Sequence, residues 1–104
     1  MDDEAAAMEL IVQAGDARSC AMEAIAKAKT GDFSVAGEKL KAGREAMSRA
    51  HVQQTEILEQ SMENTDFKIS MIMVHAQDHL MNALTILDLA QEFCDIFEII
   101  RRKS

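Results

Sequence analysis

A chain of 104 residues supports one domain, close to the lower limit of what buries a self-sufficient core, and leaves no room for a second. Proline is absent and glycine occurs four times, while Ala, Met, Leu, Glu, Lys and Gln abound, a composition that points to an all-α protein. Eighteen acidic against 11 basic side chains give a net charge of −7, which argues against nucleic acid or an anionic membrane as partner and suits a basic or mixed-charge protein.

The start, Met1-Asp2-Asp3-Glu4, is acidic where a secretory signal would be basic and then apolar, so a cytoplasmic protein is expected. The first helix is predicted over about 4–29, because Leu10, Ala14, Ala17, Ala21, Ile25 and Ala28 recur at three- and four-residue spacing. Asp16 and Arg18 within it are expected to form a surface ion pair or to line a partner surface. Thr30-Gly31-Asp32 should end that helix through a left-handed Gly31 and cap the next through Asp32. The second helix, about 33–62, carries the stripe Phe33, Ala36, Leu40, Gly43, Met47, Ala50, Gln54 and Ile57, whose small members allow close helix approach. Residues 61–66 form the second polar break, with Asn64, Thr65 and Asp66 as candidate caps.

The third helix is predicted over about 66–102, with Phe67 as its first apolar residue. It shows two apolar stripes: Ile69, Ile72, Ala76, Ala83, Leu87, Ala90, Cys94 and Phe97 on one side, and Met71, Val74, Met81, Leu84, Leu89, Ile96 and Ile100 on another. One stripe suffices to pack on two sister helices, so the surplus implies a seam between subunits and hence a homo-oligomer. Asp78, Asp88, Glu92, Asp95 and Glu98 interrupt this segment too often for a membrane span, and no direct membrane insertion is expected. Arg101-Arg102-Lys103 complement the negative pole of the helix. Cys20 and Cys94 lie among apolar neighbours without a CxxC spacing, which suits reduced, buried thiols. The architecture is a three-helix antiparallel bundle over residues 1–104.

Chemistry concentrates in Met73-Val74-His75-Ala76-Gln77-Asp78-His79-Leu80-Met81-Asn82. Positions 75, 78, 79 and 82 share one helix face, so two imidazoles, a carboxylate and an amide occupy one patch of the most apolar helix. Three readings compete. His75 and His79 at i and i+4 can reach one metal ion, although a zinc site needs a third ligand and no ExxH signature accompanies them. Both rings can instead be hydrogen-bonded structural groups. A neutral imidazole can also attack phosphorus and hold a phosphoryl group, with His79 and Gln77 as donors beside His75. No nucleotide-binding loop is present, so the phosphoryl donor would be a phosphoprotein. A histidine phosphotransfer domain of two-component signalling, which usually carries a Lys shortly after the histidine, and a non-catalytic helical adaptor are the alternatives to such a phosphocarrier.

The run Val74-His75-Ala76-Gln77-Asp78-His79-Leu80-Met81 resembles the active-site signature of the lactose/cellobiose-type enzyme IIA family of the bacterial sugar phosphotransferase system. Further similarity lies in Ala14-Gly15-Asp16-Ala17-Arg18-Ser19, Gly31-Asp32-Phe33 and Ala50-His51-Val52-Gln53-Gln54-Thr55, so that nearly the whole chain is covered. The resemblance implies a homotrimer of three-helix subunits in which His75 accepts a phosphoryl group from phospho-HPr and passes it to a cysteine of a cognate enzyme IIB, during uptake of a β-linked disaccharide such as cellobiose or lactose. It implies that Gln77 and His79 line the phosphoryl site and that Asp78 binds magnesium, one Mg²⁺ per trimer at the three-fold axis. Three carboxylates meeting on an axis repel unless a hard cation lies between them, which suits that assignment. His51 is matched as well, and a structural hydrogen-bonded role is expected for it.

Overall fold

In the computed structural model, which describes residues 3–64 and 66–104, three helices follow one another as α1 (Asp3–Lys29), α2 (Phe33–Glu63) and α3 (Met71–Arg102). The described residues contain no strand. The antiparallel bundle measures 60 × 19 × 19 Å. None of these helices is long and apolar enough to cross a membrane.

Alanine sets the packing. The buried face of α1 consists of Ala6, Ala7, Leu10, Ala14, Ala17, Ala21, Ala24 and Ala28, and a face this smooth lets two helices approach its backbone at once. α1 therefore packs along both α2 and α3, while α2 and α3 meet each other far less. The closest approach is at Gly43 of α2, where an added Cβ would stand 2.8 Å from Cδ1 of Leu87 and 3.3 Å from Cβ of Cys20. Leu10 and Leu87 are the largest fully buried side chains. The remaining bulk comes from half-buried Ile25, Phe33, Met47, Ile86 and Phe97, which close around the upper core cluster.

The first turn forms as the sequence predicts. Gly31 takes a φ of 86°, and the Asp32 carboxylate accepts from the Val35 amide at 3.2 Å. The second connection differs from expectation, since α3 begins at Met71 instead of near residue 66. Asn64 caps the C-terminus of α2 through its backbone N–H to the Gln60 carbonyl, and its side chain accepts from the Asp66 amide at 2.9 Å. Thr65, also a candidate cap, lies outside the described residues. The N-cap of α3 is Ser70, in extended conformation, whose hydroxyl accepts from the Met73 amide at 3.2 Å and also donates to the Asp3 carboxylate of α1. Ser70 has no Glu or Gln three residues later, so the reciprocal capping signature that marks a helix start is missing.

Burial is as expected for one of the two thiols. Cys94 is buried with its Sγ 3.6 Å from the Ala24 carbonyl, Cys20 is half-buried, and both are free. Burial pushes the Cys94 thiol up, with Asp95 adding to the effect. Asp16 and Arg18 do not pair: both are exposed, and neither takes part in an ion pair among the described residues.

The glycines give a direct test of this packing. Gly37→Ala meets open space and should raise stability by about 0.5–1 kcal/mol through helix propensity. Gly43→Ala must displace Leu87 and should lower stability by about 1 kcal/mol or more despite the same propensity gain. The two urea midpoints should move in opposite directions.

Candidate functional site

His75 and His79 lie in the first third of α3, on its solvent side, and both are exposed. Side chains on a helix lean toward its N-terminus, so the ring of His79 tilts back over the preceding turn toward His75. Their Nε2 atoms are 3.0 Å apart, with ring centroids at 4.5 Å and planes at 88°. One of these nitrogens must donate and the other accept, so each proton placement leaves a lone pair on one ring directed at an N–H of the other. The late start of α3 puts His75 just beyond the first helical turn, close to the positive end of the helix dipole, where a negatively charged group is favoured.

Asp78 is exposed on the same helix and has no hydrogen bond or ion pair among the described residues. Its neighbours along the helix surface are Met71, Val74, Met81 and Thr85, all exposed. Val74 at 46% and Met81 at 49% exposure are large apolar groups open to solvent. The stripe continues through Leu84, Leu89, Ile96 and Ile100, so the surplus apolar face anticipated from the sequence is outward-facing along the whole helix. Among the described residues no three His, Cys, Asp or Glu side chains converge on a common point. One chain thus offers a single carboxylate at position 78.

Gln77 stands elsewhere. At 100° per residue it lies about 160° around α3 from His75, and within one chain the two do not share a face. Its Oε1 accepts from Nε2 of Gln54 on α2 at 2.6 Å, while its own amide reaches Sδ of Met73 at 3.8 Å. The pair forms a strut across the shallow groove that α2 and α3 leave between them. On one side of the strut is a recess of about 460 Å³ walled by Met47, His51, Leu80, Met81 and Leu84. On the other is a recess of about 270 Å³ walled by Ile57, Phe67, Ile69 and Val74, with Gln77 and Asp78 at its edge. His51 is exposed on α2.

Gln53 is a polar residue that periodicity alone did not single out. It is buried against α1, its amide donating to the Ala6 carbonyl at 3.2 Å and to Glu9 at 3.3 Å. It ties the lower end of α2 to α1, opposite the strut made by its neighbour Gln54.

The chain matches, over residues 5–98, the family described as the lactose/cellobiose-specific IIA subunit of the PTS system. It belongs to that family. The lichenan-specific phosphotransferase enzyme IIA component of Bacillus subtilis (strain 168) is 44% identical over 90 residues, covering 86% of this chain and 82% of the relative. The N,N'-diacetylchitobiose-specific EIIA component of Escherichia coli (strain K12) is 38% identical over 95 residues, covering 91% and 82%. Among solved structures, the cellobiose-specific enzyme IIA from Bacillus anthracis superimposes with a TM-score of 0.95 at 39% identity, covering 100% of this chain and 95% of that one. A chain from the IIA(chitobiose)–HPr complex of Escherichia coli gives 0.86 at 35% identity, covering 97% and 98%. The IIA family membership decides against a two-component phosphotransfer domain and a non-catalytic adaptor: the chain is a phosphotransferase component, a phosphocarrier.

The strut can be tested by a double-mutant cycle. Gln54→Leu leaves the Gln77 carbonyl oxygen without its donor and should cost about 1 kcal/mol in chemical denaturation. Adding Gln77→Leu should recover most of that loss, giving a coupling energy of at least roughly 0.5 kcal/mol.

Proposed function

We propose that His75 is the residue that carries the phosphoryl group, taking it from phospho-HPr and passing it to a cysteine of a cognate enzyme IIB during uptake of a β-linked disaccharide on the cytoplasmic side. The observation that carries this reading is the exposed His75–His79 pair with facing Nε2 atoms. When His79 holds the proton between the rings, Nε2 of His75 presents a lone pair, the state a nucleophile toward phosphorus requires. Attack forms the N–P bond as the bond to the donor breaks, and the N–H of His79 then faces an anionic phosphoryl oxygen instead of a ring nitrogen. The positive end of α3 favours the same charge. An exposed ring on a convex face also suits a residue that two proteins must reach in turn. The sugars named for the relatives, lichenan, N,N'-diacetylchitobiose, lactose and cellobiose, indicate the substrate class of such pathways.

The outward apolar stripe supports a homotrimer in which the α3 helices meet. Its one acidic interruption near the site, Asp78, has no partner among the described residues and would be costly to bury alone. Carboxylates from three copies brought together would fit a hard divalent cation such as Mg²⁺, and a single chain supplies too few ligands to hold one. Such an ion would neutralise the seam; the phosphoryl chemistry belongs to the histidines. Gln77 faces away from His75 of its own chain, so a lining role for it would come from a neighbouring subunit.

Incubation with phospho-HPr should label the chain once with an acid-labile group. His75→Ala should abolish the label, and label that persists would remove His75 from the role. His79→Ala should slow labelling by roughly 10- to 100-fold, the worth of a hydrogen bond to a charged group, and His79→Gln, which keeps an N–H donor, should recover part of the rate. Sedimentation should show one species near three chain masses. Asp78→Leu should preserve or tighten that species by removing charge repulsion, and a monomer under all conditions would defeat the trimer.

A further inference from the structure

The charges that sum to −7 are spread unevenly along the bundle. At one end stand Asp3, Glu4, Glu9, Glu56, Glu59, Glu63 and Asp66, with Lys68 as the nearby cation. At the other, the last turn of α1 brings Lys27 and Lys29 beside Arg101, Arg102 and Lys103 at the end of α3. The turn between α1 and α2 holds this second group together. Gly31 has no side chain, and the Arg101 guanidinium occupies that space: an added Cβ would lie 2.6 Å from its Nη2. Asp32, Glu38, Asp95 and Glu98 set carboxylates against these five cations. Asp32 accepts from the Val35 amide, Glu98 pairs with Arg102 at 2.9 Å, and Asp95 accepts from Gln91. Lys27, Lys29, Arg101 and Lys103 take part in no ion pair among the described residues.

We propose that this basic pole docks on an anionic lipid surface, with the bundle standing end-on. The net charge does not oppose this, because fields are screened within about 8 Å at physiological ionic strength and the molecule is 60 Å long. The acidic end is therefore electrically remote from whatever the basic end touches. A flat, extended partner fits better than a discrete anion: the recess beside Arg102 is walled by Asp95 and Glu98, which repel one. Ile99, 50% exposed and outside the seam stripe, stands directly beside the three terminal cations. Apolar side chains set among cations suit the boundary between headgroups and acyl chains, where the apolar groups enter and the charges stay with the phosphates. If the α3 helices meet side by side in a trimer, like poles face the same way and the surface triples. That amplification rests on the trimer proposed above; the pole itself belongs to one chain.

The test is co-sedimentation with vesicles of phosphatidylcholine containing roughly a third phosphatidylglycerol, against phosphatidylcholine alone, at low and high salt. The protein should partition onto the anionic vesicles only, and raised salt should release it. Either Arg101→Gln/Arg102→Gln/Lys103→Gln or Lys27→Gln/Lys29→Gln should weaken partitioning by about tenfold or more. Lys68→Gln, at the opposite end, should leave it unchanged. Circular dichroism confirms that each variant stays helical. Equal binding to neutral vesicles, no binding at low salt, or indifference to both sets of substitutions overturns the proposal. So does capture by poly-glutamate with vesicles left free, which would give the pole to an acidic protein. Labelling at His75 and sedimentation without vesicles are read on the same samples. Lost labelling or a monomer with partitioning intact sinks the carrier or the trimer alone, and intact labelling without partitioning sinks the pole alone.

Discussion

The structure depends on how closely two helices can approach the alanine face of α1. A row of methyl groups fixes interhelical distance by backbone sterics, so small changes in volume are felt at once. Gly43 against Leu87 and Cys20 shows the limit, since even a methyl group there would collide. Such a core is well defined but buries few large side chains: Leu10, Leu40, Met73, Leu80 and Leu87 stand among many alanines. A single chain therefore gains comparatively little from apolar burial, and the row of exposed Met, Val, Leu and Ile on α3 is the reserve from which an assembly would draw.

The same constraint shapes the site. Because α1 engages both partners, α2 and α3 splay, and the groove between them is bridged by the Gln54–Gln77 hydrogen bond. That bond holds Gln77 in the groove, while His75 and His79 lie on the solvent side of α3. The two imidazoles are in mutual contact one helical turn apart, so the pair is built within a single helix. Nothing else in the chain has to move for the ring to be reached.

The position of the helix start matters as much as the residues on it. Were α3 to begin near residue 66, His75 would be deep in the helix and beyond reach of the terminal dipole. Ser70 starts the helix later, through its bonds to Met73 and to Asp3 on α1, and brings the histidine close to the positive end. The turn at Gly31 acts similarly on charge, since it brings the ends of α1 and α3 together and converts two short basic runs into one pole.

By itself the sequence determined three helices, their buried alanine stripes, the Gly31–Asp32 turn, the surplus apolar face and the histidine pair, because each follows from local spacing. Family resemblance lay in contiguous residues and was equally legible. What depended on tertiary contact was not. The start of α3 rests on a cap that pairs with α1, 67 residues away in sequence. The burial of Gln53 is decided by the Ala6 carbonyl, and the partner of Gln77 by Gln54 on another helix. Net charge was readable, yet its distribution was not, because charges remote in sequence become neighbours only once the helices are laid side by side.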